Sequence, residues 1–445
     1  MANSDWALVT LGDLIDIKHG FAFKGEFFRD NPTPDILLTP GNFAIGGGFK
    51  DDKLKYYAGP VPSDYMLEEG DLIVTMTDLS KDADTLGYPA FVPKVQAYRY
   101  LHNQRLGKIL IRDGAPIRKD YLYFLLCSIP YRNEVLASAT GTTVKHTSPE
   151  RIKAFKFLLP TLAEQEGIAD ILSVLNNKIE LHHQMNKTLE AIARAIFKSW
   201  FVDFDPVRYK IEGREPYGLD RETAALFPSS FESTELGQIP FGWHVNKFST
   251  MIELIGGGTP KTSIPEFWNG TIPWFSVVDV PSGGDVFVID TERMITEEGL
   301  NNSSIRILTP STTIISARGT VGKCALVGSP MAMNQSCYGV IGKEGRGNYF
   351  VYFALRNLVS SLQQSSHGTV FDTITRDTFE TIKVACPPIV LTQQFDKQVS
   401  IYLDQILLNL HQSQTLTAIR EMLLPKLLSG EIRLKDAEKY AEALL

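Results

Sequence analysis

The 445-residue chain is 44% hydrophobic and 21% charged, an ordinary globular composition that predicts two or three domains with substantial cores. A mean hydropathy of −0.06 and no apolar run near the roughly 18 residues of a spanning helix exclude a membrane bundle. The opening Met1-Ala2-Asn3-Ser4-Asp5-Trp6 has neither the basic nor the apolar region of a secretory signal.

The four cysteines, Cys127, Cys324, Cys337 and Cys386, form no CxxC pair. That excludes a disulfide scaffold and predicts reduced thiols in the cytoplasm. The net charge of −7 argues by itself against a phosphate-binding surface, but its distribution argues the other way. Residues 76–156 carry 13 Lys and Arg against 7 Asp and Glu, and residues 301–376 carry 7 against 2. Two basic zones at similar places in the two halves predict two separate polyanion-binding surfaces.

In chain order, residues 1–159 read as a first globular domain of mixed α/β character. Short β-like runs such as Asp71-Leu-Ile-Val-Thr75 alternate with Gly-rich punctuation at Gly46-Gly47-Gly48. A helix is predicted over 121–135, and a helix start at Thr147-Ser148-Pro149-Glu150, where a hydroxyl can cap and proline suits the first turn.

Residues 160–205 form a first long helix. Ile168, Leu172, Leu175, Ile179, His182, Asn186, Leu189, Ala193, Ile196 and Trp200 step alternately by four and three, the 3.5-residue seam of a coiled coil. Residues 206–242 are a linker. Residues 243–386 are a second globular domain, with a helix predicted over 349–363 and a start at Thr375-Arg376-Asp377.

Residues 387–432 form a second long helix, predicted from about 394 to 428, and 433–445 a C-terminal tail. The second seam includes Val399, Leu403, Ile406, Leu410 and Ser413, then Leu416, Ile419, Leu423 and Leu427, with Pro425 expected to kink the helix and Gly430 to stop it. Both seams have polar centres, at His182 and Asn186 and at Ser413 and Gln414. An antiparallel pair places centre against centre and fixes register. At 1.5 Å per residue, about 40 residues make a rod of roughly 60 Å.

The halves repeat. Gly141 to Pro160 aligns with Gly368 to Pro387 at an offset of 227 without a gap. Trp6 matches Trp243 at an offset of 237, Asn103-Gln104 matches Asn334-Gln335, and Gln165 is paired with Gln394 in the turn before each helix. The drift makes the second variable part about ten residues shorter. The chain is thus two copies of one unit, similar at their ends and divergent inside, with a pseudo-twofold relation.

Catalytic motifs are missing. Gly319-Thr-Val-Gly322-Lys323-Cys324 is too short for a nucleotide-binding loop. Cys386-Pro387-Pro388-Ile389 lacks the polar side chain of a methyltransferase tetrapeptide, and no clear nuclease cluster is present. His182-His183 lies on a predicted coiled coil without a carboxylate or cysteine set, so no metal site is expected.

Four separated motifs carry a resemblance: Leu159-Pro160-Thr-Leu-Ala-Glu164-Gln165 opening a long helix, Phe197-Lys-Ser-Trp-Phe-Val-Asp-Phe204-Asp-Pro closing it, Leu236-Gly-Gln-Ile-Pro240-Phe-Gly-Trp243 in the linker, and Leu424-Pro-Lys-Leu-Leu-Ser-Gly430-Glu-Ile near the end. Together they resemble a type I restriction–modification specificity subunit over nearly the whole chain. One departure is Gln393, which stands where such subunits usually carry Glu.

The resemblance implies two target recognition domains separated by two long antiparallel coiled-coil helices. It implies an asymmetric bipartite site on double-stranded DNA, two docked methyltransferase (modification) subunits and, through them, restriction subunits. The chain itself would be non-catalytic, with no cofactor of its own; S-adenosylmethionine, ATP and Mg would sit on the partners. A free-standing DNA-binding scaffold or regulator is the alternative.

Basic, amide and hydroxyl side chains are the groups that read bases and grip phosphates. In the first domain they are Thr77, Lys81, Asn103, Gln104, Arg105, Lys108, Thr142 and Lys145. In the second they are Arg318, Thr320, Lys323, Asn334, Gln335, His367 and Thr369. Because the two domains should read different bases, the recurrence of Asn103 and Asn334 is also open to a structural reading. Partner docking is expected at the apolar helix ends: Ile196, Phe197, Trp200, Phe201 and Phe204 on one helix, and Leu423, Leu424, Leu427 and Leu428 on the other.

Overall fold

The structure, a computed structural model, describes residues 6–51, 53–80, 82–94, 98–281, 283–365, 373–434 and 436–437. It divides into two compact units, Met1–Lys178 with Thr415–Leu445, and Ile179–Gln414. The division falls inside the long helices, so each unit holds one globular domain, the nearer half of one helix and the farther half of the other.

In the first unit, strand Ala7–Thr10 pairs antiparallel with Lys156–Leu159, the strand that leads into the first long helix. A four-stranded antiparallel sheet follows in the order Ile15–His19, Leu106–Ile111, Leu72–Thr75, Pro89–Phe91. Leu72–Thr75 is buried throughout, which is why this stretch is continuously apolar rather than alternating. A five-stranded sheet pairs Asp35–Leu38 in parallel with Arg99–His102.

The second unit repeats the plan. His244–Lys247 pairs with Lys383–Cys386. Ile252–Gly256, Cys337–Gly342, Thr313–Ser316, Cys324–Val327 and Phe287–Val288 form one sheet in that order, and Trp268–Phe275 is the centre of a second.

One close approach recurs in both units. A Cβ on Gly20 would lie 2.0 Å from the carbonyl oxygen of Asn103, and one on Gly257 would lie 1.9 Å from that of Asn334. Only glycine lets these strands pass the turn. Gly20→Ala or Gly257→Ala is expected to cost about 1–3 kcal/mol through forced backbone displacement. Calorimetry should show a lowered Tm, and an unchanged midpoint would mean that the turn relaxes freely.

The long helices run Leu162–Phe201 and Ile389–Leu428. The first stops as Phe204 adopts φ 57°. The second starts five residues before the predicted start and passes through Pro425, and Gly430 beyond it has φ 71°. The helix predicted over 121–135 is two helices, Lys119–Cys127 and Ile129–Ala137, broken at Ser128 because Pro130 suits only a first turn. Asn348–Ser365 is one helix.

The seams are buried at Ile168, Leu172, Leu175, His182, Asn186, Ala193 and Trp200 and at Val399, Leu403, Ile406, Ser413, Leu416, Ile419, Leu423 and Leu427. At the polar centre His182 Nδ1 lies 3.0 Å from Ser413 Oγ, and the Asn409 amide donates to Asn186 Oδ1 at 2.8 Å. Asn409, rather than Leu410, faces the seam here.

The pairing of Gln165 with Gln394 is corrected. Thr392 occupies the place of Gln165, and each is fully buried. Arg118 N–H donates to Gln165 Oε1 (2.8 Å), and Gly347 N–H donates to Thr392 Oγ1 (3.2 Å). The same shift aligns Glu164 with Leu391. Glu164 accepts from the Trp6 indole at 3.0 Å, whereas the buried indole N–H of Trp243 has no hydrogen-bond partner among the described residues.

The apolar helix ends also require correction as docking faces. Phe197, Trp200, Leu423, Leu424 and Leu427 are buried within the chain. Trp200 meets Phe227 and Phe395 edge-on, and Phe197 stacks on Phe353. Ile196, Phe201 and Phe204 pack partly buried against the same core, and Leu428 is half-buried. The first set is wide because a globular domain, and not only a second helix, covers it.

Candidate nucleic-acid interface

Three segments of the first unit converge on Met76. Its N–H donates to the carbonyl of Arg105 (2.9 Å), and its carbonyl accepts from Thr147 N–H (3.0 Å). Lys145 and His146 pair with Asp78 and Thr77, and Thr77 Oγ1 lies 3.2 Å from His146 Nδ1. The second unit builds the same node on Ala317, whose N–H donates to Ser336 O (2.8 Å) and whose carbonyl accepts from Ile374 N–H (2.9 Å). Arg318 bridges Thr373 beside it.

At these nodes the structure separates support from surface. Asn103 is buried, and its Oδ1 accepts from Arg105 N–H at 2.9 Å; Asn334 accepts from Ser336 N–H at 3.0 Å in the equivalent turn. Both asparagines therefore fold the turn on which Gln104 and Arg105, or Gln335, stand exposed. Their recurrence follows from the turn. Thr77 is buried, and Lys108 is committed to an ion pair with Asp71 at 2.6 Å.

Thr142 is exposed and Lys145 half-buried, while Arg318, Thr320 and Lys323 are exposed on the turn before Cys324–Val327. That turn is tied down by Ser316 Oγ, which accepts from Lys323 N–H at 2.9 Å. Lys81, His367 and Thr369 lie outside the described residues.

The loop after Thr77 is clamped by Asp78, which accepts from Ser80 N–H and from both Thr85 N–H and Thr85 Oγ1, each at 2.6 Å. Burial pushes the Asp78 carboxyl up, but these hydrogen bonds outweigh it and hold the group below the usual carboxylate range. His102 sits under the Gln104 turn, and burial brings it down to about 4. It is neutral at physiological pH, with Nε2 3.0 Å from Leu106 O, which makes that nitrogen the donor. The thiols of Cys127, Cys324 and Cys337 are pushed up to about 12 by burial.

Sequence reasoning missed several neighbours. Thr39, Lys55, Phe23 and Phe28 line a cavity of about 210 Å³ together with Gln104 and Arg105. Thr259 Oγ1 donates to Gln335 Oε1. At the 237 offset Thr259 matches Ala22, so comparison of the two halves gives no signal for it. His182 and His183 turn to different partners, Ser413 and Asp285.

The sequence model of the type I restriction modification DNA specificity domain matches residues 3–191 and 240–421. The chain is 30% identical over 357 residues to the type I restriction enzyme HindI specificity subunit of Haemophilus influenzae, covering 70% of this chain and 77% of that protein. It is 26% identical over 338 residues to the MjaIX specificity subunit of Methanocaldococcus jannaschii, covering 75% and 73%. Its fold is similar to a solved type I restriction–modification S subunit from M. genitalium, with a TM-score of 0.52 at 16% identity over 96% of this chain and 97% of that one. Each matched segment takes in one globular domain and reaches into the long helix that follows it, and on this correspondence the chain belongs to the type I restriction–modification DNA specificity family.

Proposed function

We propose that this chain is the DNA-recognition subunit of a type I restriction–modification complex and reads an asymmetric, bipartite site, one half per globular domain. The observation that carries the reading is the pair of matching nodes at Met76 and Ala317, which present different exposed side chains. One offers Gln104 and Arg105, with the half-buried Lys145 beside them, and the other Gln335, Arg318, Thr320 and Lys323. A shared backbone with unlike amide and guanidinium groups suits two unlike base sequences; an exact repeat would suit a palindrome.

The chain supplies no catalytic step in this reading. Methyl transfer and cleavage belong to modification and restriction subunits in the cytoplasm, where S-adenosylmethionine, ATP and Mg are bound. Two modification subunits dock, one on each long helix. Support comes from exposed apolar residues that repeat at the 227 offset: Val174 and Leu181 on the first helix, Ile401 and Leu408 on the second.

Methylome sequencing of a host expressing the chain with its modification subunit tests the reading. Methylation at a bipartite site with unlike halves is expected. A palindromic site, or methyl transfer by the purified chain alone, would overturn it.

A further inference from the structure

Asp285 lies in the loop between the two sheets of the second unit, and its side chain is only 17% exposed. A carboxylate so withdrawn from water needs partners, and it takes two from the first long helix. His183 Nδ1 is 2.8 Å from Oδ2, and the Asn186 amide donates to Oδ1 at 2.7 Å. The relay continues into the seam, where Asn409 donates to Asn186 Oδ1 and Gln405 donates to Asn409 Oδ1, each at 2.8 Å. Asn186 and Asn409 are 0% and 1% exposed, so the polar centre that sets helix register spends one of its donors on the globular domain.

The packing leaves no slack. A Cβ on Gly284 would lie 2.3 Å from the N and Cα of Lys187, so the loop backbone rests directly on the helix. From Asp285 the chain runs straight to the interface. Phe287–Val288 pairs in parallel with Leu326–Val327, and Leu326 N–H donates to Val286 O at 2.8 Å. Gly283 and Asp285 also face Gly322 and Lys323 across a cavity of about 260 Å³.

We propose that Asp285 is a positioning residue for DNA reading: it fixes the Arg318–Lys323 turn at one angle to the helices of its own unit and thereby makes the complex accept a single spacer between half-sites. The inference rests on the function proposed above. A displacement of the loop by one hydrogen-bond length breaks both bonds to the helix together, so the coupling is to position and not merely to compactness. Arg356, bonded to Glu190 at 2.7 Å, is a second tether that holds the domain on the helix when Asp285 is altered.

The test uses the full complex of chain, modification subunit and S-adenosylmethionine. Methylation rates are compared on the cognate site and on sites with the spacer one base pair longer or shorter. Asp285→Ala is expected to lower the ratio of cognate to altered-spacer rates by about tenfold, the loss of a charge-assisted pair, while each half-site keeps its sequence. Asp285→Asn, which keeps an acceptor for Asn186, should recover most of that ratio.

His183→Gln removes one bond without emptying the loop and should give a smaller shift in the same direction if Asp285→Ala does not fold. A wild-type complex that is strict about spacer, with Asp285→Ala and His183→Gln equally strict, overturns the positioning role alone. A wild-type complex that methylates no bipartite site overturns the function on which it rests.

Discussion

Trp200→Ala lowers the stability of the second unit by about 3–5 kcal/mol, the range for emptying an aromatic site in a packed core, and any loss of partner binding follows from that unfolding. The indole is 3% exposed and is enclosed by Phe227, Phe395 and Phe201. Truncation opens a cavity among rings that cannot collapse together, because Phe201 and Phe395 are also held by Phe350 and Phe353. The contrasting variant is Leu181→Glu with Leu408→Glu. These side chains are 48% and 49% exposed, so the double change should leave Tm nearly unmoved and abolish capture of the modification subunit. Denaturant unfolding and co-purification separate the two effects. A stable Trp200→Ala chain that fails to bind its partner would return the docking face to the helix ends.

The contrast shows what apolar patterning can carry. The 3.5-residue seam was legible over both long helices because burial there is decided by neighbours three and four residues away, and Ile168 to Leu175 and Val399 to Ile406 are buried as spaced. The destination of the surplus at Trp200 was not legible. Trp243 and Phe395, which help cover it, come from the second domain and the second helix, and no local period connects them. Pro130 was readable in the sequence and should have divided the helix predicted over 121–135. Residue-by-residue matching also failed where the two copies solve one problem differently, as with Gln165 and Thr392, where a long amide and a short hydroxyl satisfy equivalent backbone N–H groups.

The candidate interface was half legible for a related reason. Matching the two halves finds what both need, and both need the turn. Asn103 and Asn334 therefore stood out although their side chains face inward. The residues that distinguish the halves leave no mark in a self-comparison. Asp285 left none at all, since a lone carboxylate after Gly283-Gly284 resembles any polar loop until the helix packed beneath it is known.

Separate binding losses for the two half-sites are the second large effect expected. Gln104 and Arg105 project from a turn whose backbone is held by Asn103 and by the Arg105 carbonyl bonded to Met76. Gln104→Ala or Arg105→Ala therefore removes surface chemistry without removing the fold. Where either side chain makes a bidentate pair of hydrogen bonds to a base, its removal should weaken binding by about 1–3 kcal/mol, or roughly 5–150-fold, and relax the sequence of the first half-site only. Arg318→Ala should do the same for the second half-site. If a side chain holds phosphate instead, the weakening will be uniform across sequences and the salt slope will fall by about one.

Lys108→Met provides the control. Its ammonium is spent on Asp71, so a change there should affect stability and leave discrimination intact. Competition binding of the assembled complex to sites scrambled in one half at a time reads all four variants. Unchanged discrimination in Gln104→Ala, Arg105→Ala and Arg318→Ala alike would remove DNA reading from both nodes. A change in the second half-site on mutating Arg105 would mean that the domains do not read independently.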